Sequence, residues 1–198
     1  MDVNELKYRL FYWVGFTPWD GHALPARLRE LVEGSPPLPA GKALDVGCGT
    51  GDTSIYLARH GWDVTGFDFV KTPLGKARAK TAAAGMPVRL LQADVTKLDS
   101  YGIGSGFQLI VDNGCLHGLS DEGRAAYVRQ ITEAAAPNGT LLLAGFTERK
   151  RTRGPRGYDL PEIERRFATD WQLLGSWQDP AVSTRPDDPI FVYELRRK

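Results

Sequence analysis

Short apolar runs alternate with longer stretches of helical periodicity along most of this chain. The apolar runs predict seven strands, at residues 43–48, 62–67, 87–93, 107–112, 140–146, 171–177 and 189–196. Helical spacing predicts helices at residues 23–32, 51–60, 73–84, 121–135 and 160–168. Because strands that alternate with helices form parallel sheets with helices on both faces, the pattern predicts an α/β fold.

Two helix starts carry local signals. Thr72 is predicted as an N-cap, with Pro73 at the first helical position. Ser120 precedes the helix 121–135, which we expect to end before Pro137. No helical pattern separates the last two strands, so we expect them to follow one another directly.

A glycine-rich turn follows the first predicted strand. Its sequence is Asp45-Val46-Gly47-Cys48-Gly49-Thr50-Gly51, and a helical pattern begins at once. Glycines let the backbone turn tightly and let a ligand approach the main chain, and the helix start offers unpaired N–H groups. The turn therefore predicts a nucleotide-type cradle. The dinucleotide-binding fingerprint requires a third glycine at position 52, which is Asp52 here.

Three more predicted strands end in an acid. These acids are Asp68, Asp94 and Asp112. Ligands of parallel α/β sheets lie beyond the carboxyl ends of the strands, so all three acids are expected at the ligand edge. A carboxylate such as Asp68 can accept hydrogen bonds from both hydroxyls of a ribose.

The pattern Asp-x-Gly-x-Gly-x-Gly, followed by these acids, resembles the first motifs of class I S-adenosylmethionine-dependent methyltransferases. The resemblance implies a Rossmann-like, seven-stranded, mostly parallel sheet with helices on both faces and an N-terminal helical cap. It also implies an antiparallel last strand inserted between its two predecessors. The implied cofactor is S-adenosyl-L-methionine, which leaves as S-adenosyl-L-homocysteine.

The same resemblance implies the cofactor site. Asp45 orders the loop and faces the ammonium group, Asp68 holds the ribose, and Asp94 reads the adenine edge. A turn cap is the alternative role for Asp94. The residues implied in cofactor binding are Trp19, Asp45, Gly47, Cys48, Gly49, Asp68, Phe69, Asp94, Val95 and Asn113.

The segment Asp112-Asn113-Gly114-Cys115-Leu116-His117 is expected to face the transferred methyl group. Methyl transfer from a sulfonium mainly requires alignment and removal of water, and a base helps when the acceptor carries a proton. His117 is the candidate base because the pKa of an imidazole lies near neutrality; packing that holds the loop is the alternative role. Asp112 and Asn113 complete the predicted catalytic set.

This loop lacks the prolines of nucleic-acid amino-methylating enzymes and the Pro-Cys pair of cytosine-methylating enzymes. It resembles instead the small-molecule branch that includes thiopurine- and tellurite-type methyltransferases. A small aromatic or heterocyclic acceptor, methylated at O, S or N, is thereby implied. The substrate and lid residues are predicted to be Tyr12, Trp13, Asp20, Arg149 and Arg153.

The basic loop 149–156 leaves alternatives open, because it can be merely solvated, can bind an acceptor anion, or can serve an RNA or protein methyltransferase. A module that binds the cofactor without turnover is a further alternative. With 198 residues, a charge of +1 and two cysteines, we expect one cytoplasmic domain (cap 1–38, core 39–198), monomeric or homodimeric. No metal, secretory signal or membrane segment is expected, and we do not expect nucleic acid as a partner.

Overall fold

The computed structural model describes residues 21, 23–148, 155–182 and 189–198. Seven strands form one sheet: β1 (Lys42–Val46), β2 (Asp63–Asp68), β3 (Val88–Gln92), β4 (Phe107–Asn113), β5 (Ala135–Phe146), β6 (Trp171–Gln178) and β7 (Ile190–Arg197). The α-helices are α1 (Ala26–Glu33), α2 (Asp52–Arg59), α3 (Lys71–Ala83), α4 (Asp121–Ala134) and α5 (Leu160–Phe167). Short 3-10 helices span Val95–Tyr101 and Leu116–Gly118.

The strand order is β3-β2-β1-β4-β5-β7-β6, and β7 is antiparallel to both of its neighbours. The predicted sheet of seven strands, with the last strand inserted between its two predecessors, is confirmed. The chain winds outward in one direction from β1 and in the other from β4, so the order reverses between these two strands. In open α/β sheets such a switch point is where ligands bind.

Side chains alternate between the two faces of the sheet along each strand. Each face packs in its own hydrophobic core cluster. In β4, Ile110 contributes to one core cluster, whereas Leu109 and Val111 contribute to the other. Helices α4 and α5 cover the first face, and α1 and α2 cover the second. The carboxyl ends of the parallel strands are thereby held rigidly at one edge.

Two local predictions were wrong. Helix α3 begins at Lys71 with Val70 at its N-cap, so Thr72 does not cap it. The Asp68 carboxylate accepts the Val70 N–H (2.8 Å), which fixes the helix entry from the preceding strand, and Pro73 falls within the first turn, where proline is tolerated. Strand β5 begins at Ala135 rather than 140, because Ala135 pairs with β4 across a register shift.

Candidate functional site

The loop after β1 is built on left-handed backbone. Gly47, Gly49 and Gly51 have φ of 67°, 52° and 86°, a region that other residues enter only with strain. Gly51 is the N-cap of α2, and no side chain caps that helix. The α2 N-terminus and the bare main chain of the loop therefore lie together at the switch point.

Substitution of Gly51 by alanine should destabilise the fold by about 1–3 kcal/mol, because of the positive φ and the crowding that an added Cβ would meet. That Cβ would lie 3.1 Å from the Cβ of Ala77 in α3. Gly75→Ala is the matched control: it lies in α3 with nothing within 4 Å of the added Cβ, and should stabilise by about 0.5–1 kcal/mol. Urea unfolding of both variants measures the effect, and equal signs would contradict the strain assignment.

Asp45 lies at the end of β1 and is only 2% exposed. Its Oδ2 accepts a hydrogen bond from the Ser54 hydroxyl in α2 (2.6 Å). Burial raises the pKa of Asp45 to about 7, opposed by hydrogen bonds from Ser54, and the charges of Asp68 and Asp112 raise it further. The structure thus joins Asp45 to the first turn of α2 and places three acids within electrostatic reach of one another.

Asp68 links the glycine-rich loop to the start of α3. Its Oδ2 accepts the Gly49 N–H (3.1 Å), and its Oδ1 accepts the Val70 N–H (2.8 Å). Each carboxylate oxygen has two acceptor positions, so one side chain can serve both segments. The next residue, Phe69, is half-buried, and its carbonyl accepts from the Gln92 side chain (3.0 Å).

Asp94 follows β3 and caps the 3-10 helix Val95–Tyr101. Its Oδ1 accepts hydrogen bonds from the N–H (2.9 Å) and hydroxyl (2.8 Å) of Thr96, so the turn-cap role is present. Neither bond uses Oδ2, and the side chain is only half-buried. Val95 is buried beside it.

The predicted acids meet around the two cysteines. Both cysteines are free thiols, and Cys48 is buried. Burial raises the pKa of Cys115, and the charges of Asp112, Asp68 and Asp94 raise it further. Because these three acids follow different strands, their shared effect on one thiol shows that they converge on the same edge of the sheet.

Asp112, one of the predicted catalytic residues, anchors the loop that follows β4. It is fully buried, with 0% exposure. Its oxygens accept the backbone N–H groups of Gly114 (2.9 Å), Cys115 (2.6 Å) and Leu116 (3.0 Å). Burial raises the pKa of Asp112 to about 6 against these hydrogen bonds. The carboxylate therefore faces its own loop, whereas the neighbouring Asn113 is exposed.

His117 lies in the same loop and is 9% exposed. Its ring stacks on Phe146 at the end of β5, with centroids 5.2 Å apart and planes 21° apart. Gly114 admits this ring, since a Cβ there would lie 3.1 Å from His117 Cε1. The loop thus presents a stacked aromatic pair, of which His117 is buried and Phe146 half-buried. It lies beside the glycine-rich turn, since a Cβ added at Gly47 would lie 3.3 Å from the Cβ of Cys115.

Sequence reasoning missed a buried ion pair behind this loop. Arg124 in α4 is 1% exposed, and its Nη1 donates to both carboxylate oxygens of Glu162 in α5 (2.9 Å each). A sequence signal existed: Arg124 shares one helical stripe with Tyr127 and Ile131, and an arginine on an apolar stripe requires a buried partner.

Six predicted site residues lie outside the described ranges. They are Tyr12, Trp13, Trp19, Asp20, Arg149 and Arg153. The predicted lid and the acceptor-binding arginines therefore stay predictions. None of the helices in the described ranges has the length and apolar composition needed to span a bilayer.

A family model described as a methyltransferase domain matches residues 43–139. An uncharacterized methyltransferase of Mycobacterium tuberculosis is 32% identical over 186 residues, covering 90% of this chain and 84% of that protein. A 2-heptyl-1-hydroxyquinolin-4(1H)-one methyltransferase of Mycobacteroides abscessus is 28% identical over 161 residues, covering 79% of this chain and 69% of that protein.

Among solved structures, 1,6-didemethyltoxoflavin-N1-methyltransferase of Burkholderia thailandensis superposes with a TM-score of 0.76 at 22% identity, covering 100% of this chain and 91% of that chain. That crystal holds 1,6-didemethyltoxoflavin and S-adenosylhomocysteine. The chain belongs to the methyltransferase family, and its fold is that of the class I enzymes that use S-adenosylmethionine as cofactor. The resemblance drawn from the glycine-rich turn and the strand-terminal acids is confirmed.

Proposed function

We propose that this methyltransferase acts on a small, planar, heterocyclic acceptor at an O, N or S atom. The observation that carries the proposal is the juxtaposition of a glycine-rich cradle with a stacked aromatic pair, His117 and Phe146, at one sheet edge. Two relatives with named acceptors support it, since a hydroxyquinolone and 1,6-didemethyltoxoflavin are planar heterocycles. When bound, S-adenosylmethionine supplies a methyl group already activated on a positive sulfonium.

The donor set of this chain fits that cofactor. Asp68, which lies between the glycine-rich loop and the start of α3, would accept hydrogen bonds from the ribose hydroxyls, as a carboxylate can. Asp94 would accept from the adenine amino group through Oδ2, with Val95 and Phe69 beside the ring. Asp45, Asp68 and Asp112 make the edge negative, which favours a ligand that carries a sulfonium and an ammonium group.

The β4 loop, residues 114–119, would form one wall of the acceptor site. Asp112 positions this loop from within, because its carboxylate is buried under three backbone N–H groups. Asn113 is exposed beside it and can contact either ligand. Stacking on Phe146 favours His117 as part of the wall on which a flat acceptor packs.

His117→Phe should keep most of kcat, because a phenyl ring preserves the stack on Phe146. His117→Ala should raise the KM of the acceptor about tenfold, since it removes an aromatic contact worth roughly 1 kcal/mol or more. Steady-state kinetics with one acceptor measures both variants. A loss of kcat of about a hundredfold in His117→Phe at neutral pH would instead identify His117 as the general base.

An assay that measures the release of S-adenosyl-L-homocysteine tests the function itself. The panel contains hydroxyquinolones, N–H heterocycles and thiols, with bulk RNA and a mixed protein fraction as the alternative substrates. Turnover with a heterocycle supports the proposal. Turnover with RNA or protein alone, or tight cofactor binding without turnover on any acceptor, would overturn it in favour of the alternatives.

We further propose the organisation that composition suggests: one domain with a cap at 1–38 and a core at 39–198, monomeric or homodimeric, in the cytoplasm. In the part of the chain that the structure describes, Leu174 and Trp177 are the exposed large apolar residues of β6, and so small a patch is compatible with either state.

A further inference from the structure

We infer that Arg124 is a positioning residue that ties the β4 loop, proposed to line the acceptor site, to residues 155–158, so that the two segments are ordered together. The inference deepens the proposed function and rests on it for its kinetic part. It stands on the hydrogen bonds of one buried guanidinium.

Arg124 donates to backbone carbonyls of both segments. In the β4 loop, its Nη2 donates to the His117 carbonyl (3.1 Å) and its Nε donates to the Leu119 carbonyl (3.2 Å). In the second segment, residues 155–158, the same Nη2 donates to the Gly157 carbonyl (2.7 Å). The Gly157 N–H in turn donates to the His117 carbonyl (3.4 Å). One side chain therefore joins segments that are some forty residues apart in the sequence.

Glu162 holds the guanidinium in that orientation. The two Arg124–Glu162 contacts of 2.9 Å neutralise a charge that would be costly to bury alone. Tyr158 covers the guanidinium from one side, with its ring centroid 5.9 Å from Arg124 Cζ. Arg124 is therefore desolvated, charged and fixed, as a forked donor to several carbonyls must be.

Two more arginines and one aspartate surround the Arg124–Glu162 pair. Arg156 and Arg166 also donate to Glu162 Oε1, at 2.9 Å and 2.6 Å, and both pair with Asp121 at the start of α4. Burial would raise the pKa of Glu162, but hydrogen bonds from Arg166 and Arg124 hold it below its usual value. Glu162 therefore stays ionised at neutral pH. The hydrogen bonds of Arg124 to Glu162 and to the two backbone segments, here called the clamp, are not broken there by protonation.

The clamp acts on the acceptor side and leaves the cofactor side alone. His117, whose carbonyl it holds, carries the ring that stacks on Phe146. The cofactor contacts proposed for Asp45, Asp68 and Asp94 involve other strands. Loss of the clamp should therefore lower kcat and leave cofactor affinity unchanged.

The test replaces both charges at once, by Arg124→Met with Glu162→Met. Replacement of a buried ion pair by apolar residues of similar volume often preserves stability, and Arg156 and Arg166 keep Asp121 as a partner. Arg129→Met with Glu164→Met is the matched control, since both residues are exposed on the same two helices. If the double variant does not fold, Arg124→Lys serves instead, because one ammonium cannot replace the forked donors.

Hydrogen–deuterium exchange of the apo protein is the first readout. Exchange should rise about tenfold or more both in residues 114–119 and in residues 156–158, which follow Pro155 and carry amide hydrogens. Each factor of ten in exchange reflects roughly 1.4 kcal/mol of lost protection. The control should leave both segments unchanged. Unchanged exchange in either segment would overturn the coupling, whether or not the protein methylates a heterocycle.

Kinetics is the second readout. With an acceptor found in the panel, kcat should fall about ten- to a hundredfold through misalignment, while the calorimetric Kd of S-adenosylmethionine stays unchanged. Wild-type kcat despite raised exchange would overturn the positioning role. If the wild-type protein turns over no acceptor, the proposed function fails, and the exchange experiment still decides the coupling.

Discussion

Asp68→Ala should weaken S-adenosylmethionine binding about 100-fold, because roughly 3 kcal/mol of charge-assisted hydrogen bonding is lost. The carboxylate accepts N–H groups from Gly49 and Val70 and therefore shapes both the glycine-rich loop and the entry to α3. In the proposed complex it also accepts the ribose hydroxyls. Isothermal titration calorimetry with the wild type and the variant measures the change.

The matched control is Asp63→Ala, at the opposite end of the same strand, where the side chain is exposed. It should leave the cofactor Kd unchanged. His117→Ala should also bind the cofactor far better than Asp68→Ala does, because His117 is proposed to contact the acceptor and not the cofactor. Equal affinity in the wild type and Asp68→Ala would remove the ribose assignment.

Asp45→Asn should make the apo protein more stable at pH 8 and a poorer cofactor binder. Burial raises the pKa of Asp45 from 3.8 to about 7, so the folded state holds a proton that the unfolded state has released. The contribution of Asp45 to the free energy of unfolding therefore falls as pH rises from about 4 to about 7. Above pH 7 the full cost of burying its negative charge is present. Asparagine removes that buried charge while its amide oxygen still accepts from Ser54.

Thermal unfolding should show a gain on the order of 2–4 kcal/mol for Asp45→Asn at pH 8 and little gain at pH 4, near the pKa of the unfolded state. Calorimetry should show that wild-type affinity for the cationic cofactor rises with pH through about 7, whereas the variant responds weakly. Asp63→Asn, which alters an exposed acid, serves as the control in both measurements. A variant that is less stable than the wild type at pH 8 would contradict the buried-charge account.

The stability effect and the binding effect expected for Asp45→Asn share one physical basis. Asp45 is costly to the empty protein because it is buried beside Asp68 and Asp112. A sulfonium and an ammonium group would offset that repulsion on binding. Stability and function therefore oppose each other at this position, as is common where a site is built for a charged ligand.

Much of the fold was predictable from local patterns. The seven strands follow from apolar runs, and Ser120 does cap α4 by accepting the Gly123 N–H (3.2 Å). Thr72 shows the limit of such signals. A threonine before a proline is a good local cap, but the Asp68 carboxylate, placed by β2, begins the helix two residues earlier.

The candidate site also has features that the sequence predicts and features that it does not predict. The glycines after β1 and the acids after β1, β2, β3 and β4 stand out in the sequence, because a bare turn and a strand-terminal carboxylate are local features. Which way each carboxylate points is not local. Asp112 turns into its own loop and Asp94 caps its own turn, because nearby backbone N–H groups needed acceptors.

The amino-acid sequence by itself therefore determined the order of the elements, the family and the edge of the sheet at which ligands bind. Only the tertiary structure decided which of the polar residues serve the protein's own backbone. Arg124 shows the physical reason most clearly: its partner, Glu162, is 38 residues away, and the carbonyls it holds meet only when β4, β5, α4 and α5 have packed. A buried charge depends on its partner, and that partner is chosen by the fold.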